Sequence, residues 1–334
     1  MLKTDSPQNH AKLPFAKGSL IFAPMEGITD AFYREIIHKN YPEWDALCCD
    51  FLRVPNAGNY PLKYFNNHIG KYFEDKMSHL MFQILTSPTA FTEEVVNTLT
   101  DLKIPWLDLN IGCPSGTVVR KKGGSYWLSI PQDLKKLLEL IRKKFPGFFS
   151  VKMRIGLNNT DFYEELLKII EGEGADAITV HGRTRLDLYK AKAKWEFIGE
   201  AVQKTKLPII GNGDLWSVKD IKNMFAMTGC HSVMVARGAL KAPWIARQFK
   251  KNLNHQNETI VNQKELKEDI AHYLKLIIHG IQANSNNEFK LITKIKELSR
   301  YLFEDLEDGT EIKRSIYLSQ NWNELQFTLK KIFN

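Results

Sequence analysis

Residues 106–115 read Trp-Leu-Asp-Leu-Asn-Ile-Gly-Cys-Pro-Ser. Trp106–Leu109 is a short β-type run, Asn110 to Pro114 is a polar, turn-rich exit, and Asp133–Lys144 farther on carries apolar residues at helical spacing. The same alternation recurs on both sides of this stretch. Leu20–Ala23, Ala46–Phe51, Leu80–Ile84, Ser150–Met153, Ala177–Val180, Pro208–Ile210 and Ser232–Val235 are further β-type runs, and Phe162–Gly172 is another amphipathic helix. Eight runs at a spacing of about 30 residues, the length of a βα unit, predict a (β/α)8 TIM barrel. An open doubly wound sheet would instead place a glycine-rich phosphate turn after its first strand. Pro24-Met25-Glu26-Gly27 is not such a turn.

Beyond Trp244 the β-type runs stop. Asn252–Gln263 is rich in Asn and Gln and reads as a linker. Leu266, Ile270, Leu274, Ile277 and Ile281 then mark one helical face, and Leu291, Ile295, Leu298 and Leu302 a second. Leu325–Phe333 reads as a third helix. The expected organisation is an N-terminal arm (1–19), a barrel (20–250) and a small all-helical C-terminal domain (251–334). Lys290, Lys294, Lys296, Arg300, Lys313 and Arg314 stud the tail.

The 334 residues are 43% hydrophobic and 25% charged, a globular composition large enough for a normal core. The 46 basic residues exceed the 38 acidic ones, for a net charge of +8. A basic surplus draws polyanions, nucleic acid first, although many lysine-rich chains are basic without binding any. Cys48, Cys49, Cys113 and Cys230 form no C-x-x-C pair, so zinc, Cys-ligated iron–sulfur clusters and disulfide scaffolds are disfavoured and no metal is expected. Residues 1–19 have no apolar signal core, and no later run is apolar enough to span a bilayer. A soluble, cytoplasmic monomer is the expectation.

A (β/α)8 barrel places its chemistry at the C-terminal ends of its strands. Here those ends read Pro24-Met25-Glu26, Asp50-Phe51-Leu52-Arg53, Gln83, Asn110-Ile111-Gly112-Cys113-Pro114, Lys152-Met153-Arg154, His181-Gly182-Arg183-Thr184, Gly211-Asn212-Gly213-Asp214 and Ala236-Arg237-Gly238. Each alone can be an ordinary loop hydrogen-bonder; eight polar ends together predict a site. The glycine loops of the seventh and eighth units, with Arg237, suit a phosphate-bearing ligand. Lys152 can form a Schiff base, pair with a phosphate or stabilise an anionic ring. Cys113 can be a nucleophile or a proton donor.

Leu107–Ser115 (L-D-L-N-I-G-C-P-S), Ala23–Asp30 (A-P-M-E-G-I-T-D), Val151–Gly156 (V-K-M-R-I-G), Val180–Thr184 (V-H-G-R-T), Ile210–Asp214 (I-G-N-G-D) and Ala236–Leu240 (A-R-G-A-L) closely resemble the tRNA-dihydrouridine synthases, in that family's order. The resemblance implies a flavin-binding barrel with a helical domain. It implies FMN contacts from Pro24, Met25, Glu26, Gln83, Lys152, His181, Asn212, Gly213, Asp214, Arg237 and Gly238. It makes Cys113 the proton donor, sets Asn110 against the target uracil, and implies NADPH as reductant. The tRNA contacts expected besides Asn110 are Arg53, Arg154, Arg183, Thr184, Lys294, Lys296 and Arg300. Phe51–Val54 (F-L-R-V) and Tyr189–Trp195 (Y-K-A-K-A-K-W) are most similar to the bacterial branch acting at uridine 16 of the D-loop. Leu85–Phe91 and Lys121–Trp127 depart from the family pattern. A small-molecule flavin reductase of the dihydroorotate dehydrogenase or ene-reductase type would share the barrel, but gives no reason for N-x-G-C-P-S or a basic helical tail. A non-catalytic RNA-binding barrel would have no use for Cys113, Lys152 and Gln83.

Overall fold

The computed structural model describes residues 13–254, 262–284 and 287–333. Most of the expected N-terminal arm and most of the Asn/Gln-rich linker lie outside them. Nine strands form: β1 (Leu20–Phe22), β2 (Ala46–Cys48), β3 (Leu52–Arg53), β4 (Leu80–Leu85), β5 (Trp106–Ile111), β6 (Phe148–Arg154), β7 (Ala177–His181), β8 (Ile209–Asn212) and β9 (Ser232–Val235). All pairings are parallel, and the order β2-β1-β9-β8-β7-β6-β5-β4 is closed by a β2–β4 ladder. The result is a closed eight-stranded parallel barrel, with β3 as a short extra rung on β4. The expected run Ala46–Phe51 is therefore split. The ladder stops at Cys48, and two residues pair again at Leu52 and Arg53.

Every residue of β1, β2, β4, β5, β7, β8 and β9 is buried. Parallel strands covered on both faces read as near-continuous apolar runs for this reason. The exceptions to apolarity alternate. On β5 the polar Asp108 and Asn110 are two apart, and on β6 Ser150, Lys152 and Arg154 are two apart. Period two places each set on a single face. Cross-strand hydrogen bonds join those faces, so the polar sets line the barrel interior.

The interior is closed at the other end by apolar packing. Phe15 stacks on Trp106 with ring centroids 4.9 Å apart and meets Phe148 edge-on at 5.9 Å. Both partners open their strands, so Phe15 marks the N-terminal end of the barrel.

Contacts divide the described residues into two compact units. One holds the chain up to Ala31, Trp44–Asp214 and Lys222–Val235; the other holds Phe32–Glu43, Leu215–Ile221 and the chain from Ala236 onward. Residues 236–250, expected with the barrel, thus group with the helical tail. In that unit the helices after residue 262 are Gln263–Asn284, Glu288–Leu302, Gly309–Leu318 and Trp322–Phe333. Gly309–Leu318 adds one helix to the three expected. Only Ile312 and Ile316 mark its apolar face in the sequence, with Gly309 buried beside them. Within this unit Tyr33 and Tyr273 share a buried hydrogen bond of 2.9 Å, and Gly280 leaves room for the Phe32 ring. No helix among the described residues is long and apolar enough to cross a membrane.

Candidate active site

Side chains of β4, β5 and β6 carry one connected polar network. Asp108, fully buried on β5, is its root. Its Oδ2 accepts from Gln83 Nε2 at 2.7 Å, and its Oδ1 accepts from the Ser150 hydroxyl, itself an acceptor for Trp106 Nε1 at 2.8 Å. Gln83 Oε1 in turn accepts from Asn110 Nδ2 at 2.8 Å. The Asn110 carbonyl oxygen receives the backbone N–H groups of Gly112 and Cys113, each at 3.0 Å. That pair of bonds folds the chain back after β5 and presents Cys113.

Cys113 is the one cysteine that is not fully buried; Cys48, Cys49 and Cys230 are core residues. Burial still pushes its thiol above the ordinary range. Glu26 pushes the same way, and the Ser115 backbone, Arg53 and Arg154 oppose. A neutral thiol at pH 7 is the consequence. The segment 121–127, flagged above as a departure, lies directly against it. Gly124 has φ +55°, and a Cβ there would stand 2.8 Å from the Cys113 Cβ and 2.9 Å from its carbonyl oxygen. Ser125 N–H donates to that carbonyl at 3.1 Å, and Trp127 Nε1 donates to Thr86 O at 3.0 Å. The unusual residues of this segment are the seat of the cysteine loop.

Lys152 on β6 donates to Asn212 Oδ1 on β8 at 3.2 Å, while Asn212 Nδ2 donates to Met234 O at 2.7 Å. Burial pushes the Lys152 ammonium down to about 8; Arg154 adds to this and Asp108 opposes it. One turn of strand farther on, Arg154 is 2% exposed and spends its guanidinium on backbone: Nε to Gly112 O at 3.0 Å, Nη1 to Thr184 O at 2.8 Å and to Leu188 O at 3.1 Å. Tyr189 lies over it, 5.3 Å from the ring centroid. Arg183 is also buried. Its Nη2 donates to both oxygens of Asp214 at 2.7 Å, its Nε to Ala191 O at 2.6 Å, and its Nη1 to His181 Nε2 at 3.2 Å. A guanidinium only donates, so that His181 nitrogen is the acceptor and its ring proton sits on Nδ1. Thr184 and Asp187 cap each other through N–H groups.

These placements revise the expected roles. Arg154, Arg183 and Thr184, expected at the tRNA, are interior braces of the loop 182–194, with no side chain left on the surface for a phosphate. Asp214 (φ +53°) is held by Arg183 and by the Ala193 N–H at 2.7 Å, so its carboxylate also serves that loop. What the loop does expose is Leu186, Leu188, Tyr189, Lys190 and Lys192. Gly213 has φ +121°, and a Cβ there would press on Ala193 and the His181 ring, so a side chain is excluded. Near the exit of β1, Met25 N–H donates to Thr29 Oγ1 at 2.9 Å. Pro24 and Met25 keep partial exposure there, and Glu26 pairs with Arg53 at 2.8 Å, both well exposed.

The remaining expected residues belong to the helical unit. Arg237 opens the helix Arg237–Lys241 and lies 4.7 Å from the centroid of Trp216. A Cβ on Gly238 would run into the Leu215 carbonyl. Lys294 is 12% exposed and bridges to Glu297 at 3.1 Å, and Lys296 donates to Ser319 O at 2.7 Å. Both are tied inside the tail, whereas Lys290, Arg300 and Arg314 stay exposed. Sequence reasoning missed Asp108, Ser150 and Gly124. Only the period-two placement of Asp108 before Asn110 signalled any of them.

The pattern of the dihydrouridine synthase family matches residues 21–329. A tRNA-dihydrouridine(16) synthase of Haemophilus influenzae is 29% identical over 93% of this chain and 99% of its own length. One from Pseudomonas syringae pv. tomato is 33% identical over 69% of this chain and 74% of its own, and one from Escherichia coli O157:H7 is 28% identical over 90% and 94%. The chain is an oxidoreductase and belongs to the dihydrouridine synthase family, whose members depend on flavin.

Proposed function

We propose that this protein reduces the C5=C6 bond of uridine 16 in the tRNA D-loop, with FMN as flavin, NADPH as reductant and Cys113 as proton donor, working as a cytoplasmic monomer. The observation that carries the reading is the placement of Cys113, the one cysteine that is not fully buried, on a loop held at the barrel mouth by the Asn110 side chain, with Lys152 on the neighbouring strand β6. The relatives that match most of the chain's length carry uridine 16 in their names, which supports the position.

The donor set fits a flavin. Lys152 has a single oxygen partner among the described hydrogen bonds, leaving N–H bonds for an anionic ring edge. Gln83, His181 and Asn212 are already oriented by their neighbours, and the side-chain-free Gly213 permits close approach of a ligand to the backbone. When bound, FMN supplies the hydride for C6 of the uracil. The protein does the rest. Asn110 would hold the base edge through the Nδ2 hydrogen that Gln83 does not take, Cys113 Sγ would give its proton to C5, and the half-buried loops would keep water away. The base must leave its stack to reach this site. The exposed Tyr189, with Lys190 and Lys192 beside it, is suited to meet a displaced nucleotide and its phosphates.

FMN is expected to copurify non-covalently. Lys152→Ala should weaken it roughly 10–100-fold, the worth of one charge-assisted hydrogen bond. An anionic ligand requires the ammonium form, and that form begins to vanish at about 8 in the free protein. FMN affinity should therefore fall as pH rises through that value, and titration by flavin fluorescence quenching reads it. A colourless protein that FMN cannot reconstitute sinks the reading.

The helical tail grips the tRNA backbone in this proposal. Because Lys294 and Lys296 are tied internally, the test belongs to Lys290, Arg300 and Arg314. Changing all three to glutamine should lower the log–log salt slope of tRNA binding by roughly one unit per lost phosphate contact, by analogy with duplex DNA. Flavin reduction by NADPH should not change. A wild-type slope would move the grip to Arg53 and the segment 190–194.

A further inference from the structure

We infer that Asp108 is a positioning residue for the reducing site: by accepting on both carboxylate oxygens it sets the polarity of the Gln83 and Asn110 amides and thereby fixes the Cys113 loop. The inference rests on the proposed reduction of a tRNA uridine.

Hydrogen-bond direction carries this role. A side-chain amide fits its neighbours in either of two orientations, and a hydroxyl rotates to suit. An ionised carboxylate only accepts. With Asp108 Oδ2 taking Gln83 Nε2 at 2.7 Å, the Gln83 oxygen must face Asn110. Asn110 must then offer Nδ2, at 2.8 Å, which leaves its oxygen for the N–H groups of Gly112 and Cys113. Reversing Asn110 would set its NH2 group against two backbone N–H donors. The chain is thus held in one sense from both ends, by the acceptor-only carboxylate of Asp108, two residues from Asn110 and five from the thiol, and by the donor-only N–H groups of Gly112 and Cys113.

That root is costly to keep. Asp108 is fully buried on β5, between Gln83 of β4 and Ser150 of β6, and Lys152 is the charge that acts on it. Burial pushes its carboxyl up to about 6, with the Ser150 and Gln83 hydrogen bonds and Lys152 pulling it down. Below that pH one oxygen becomes a hydroxyl and must donate: on Oδ2 it opposes the Gln83 NH2 group, and on Oδ1 it turns the Ser150 hydroxyl from donor to acceptor, whose own proton then loses this partner. An acid loss of activity follows from the same geometry. Destabilisation does not supply that limb. A carboxyl whose folded value is raised favours folding when protonated, below the unfolded value, and that advantage fades as pH rises through about 6.

The test is Asp108→Asn, equal in size but able to donate. Flavin content and melting temperature report folding. Dihydrouridine formation on tRNA is followed across the acid and neutral range. Alkylation of Cys113 by N-ethylmaleimide, quantified on its peptide, reports the loop without any turnover. The expected result is a roughly 10–100-fold fall in kcat with KM for tRNA unchanged, as for a misplaced reacting group. The acid limb should disappear, and Cys113 should be labelled several-fold faster. Ser150→Ala keeps the carboxylate but removes one donor that favours ionisation, so the acid limb should move to higher pH. Asp108→Asn protein with wild-type kcat, acid limb and labelling overturns the inference. Should that variant not fold, an unshifted limb in Ser150→Ala overturns it. Wild-type protein that forms no dihydrouridine refutes the functional reading, and the inference falls with it.

Discussion

Cys113→Ala is expected to lower dihydrouridine formation about 10²–10⁴-fold while leaving flavin content and its reduction by NADPH as in wild type, the usual worth of a general acid. The side chain is small, and its main-chain N–H already holds Asn110, so alanine preserves the loop: the Asn110 bond and the Ser125 bond both involve backbone atoms of residue 113. Only the proton is lost. A general acid works while protonated, and burial raises this thiol above its ordinary range, so its own alkaline limb lies above the one from Lys152 at about 8. Cys113→Ala should retain the Lys152 limb and lose the higher one. Cys49→Ala and Cys230→Ala, both core positions, are controls that should keep turnover. Wild-type rates on native tRNA in Cys113→Ala would show that the thiol is structural.

The sequence made the barrel legible because each inward and outward face is buried, which turns a parallel strand into a short unbroken apolar run. All eight runs became barrel strands, within a few residues at their ends. The pieces that escaped are those without such a signature. Leu52–Arg53 is a two-residue rung that exists only because β4 continues beyond β2. Gly309–Leu318 begins with a glycine and buries just two apolar side chains, Ile312 and Ile316, a turn apart. The polar strand ends were legible as such, and Gln83, Asn110, Cys113, Lys152, His181 and Asn212 all lie on or just beyond strands β4 to β8. Roles were less so. A sequence shows that Arg154, Arg183, Lys294 and Lys296 carry charge, but not whether that charge faces solvent or a carbonyl. Exposure, which decides whether a cation can meet a phosphate, is a tertiary property. Asp108 was overlooked for a related reason: inside an apolar run a lone carboxylate reads as an exception, until its partners on β4 and β6 come into register beside it.

Arg154→Met is expected to cost roughly 3–5 kcal/mol of stability, as for breaking a buried hydrogen-bond network with several acceptors left unpaired. The methionine fills similar volume and adds no charge, so the loss falls on three carbonyls left without a donor: Gly112 on the cysteine loop, and Thr184 and Leu188 on the loop after β7. An unsatisfied buried carbonyl costs about 1–3 kcal/mol, and partial access of water to these loops keeps the sum below the simple total. The Tyr189 ring would lose its cation as well. Urea unfolding of the flavin-loaded protein measures the cost. Hydrogen exchange should place the loosening at 112–115 and 182–194, since the β-ladder beneath does not depend on this guanidinium. Arg154→Lys should recover only part, because a single ammonium cannot reach three carbonyls in a fixed fork. Turnover on tRNA should fall in both variants with NADPH oxidation by the flavin less affected. That difference separates a brace from a phosphate contact. Loss of a surface phosphate contact would weaken tRNA binding and flatten its salt dependence with stability within about 0.5 kcal/mol of wild type. Stability unchanged together with a flattened salt slope would return Arg154 to the tRNA interface.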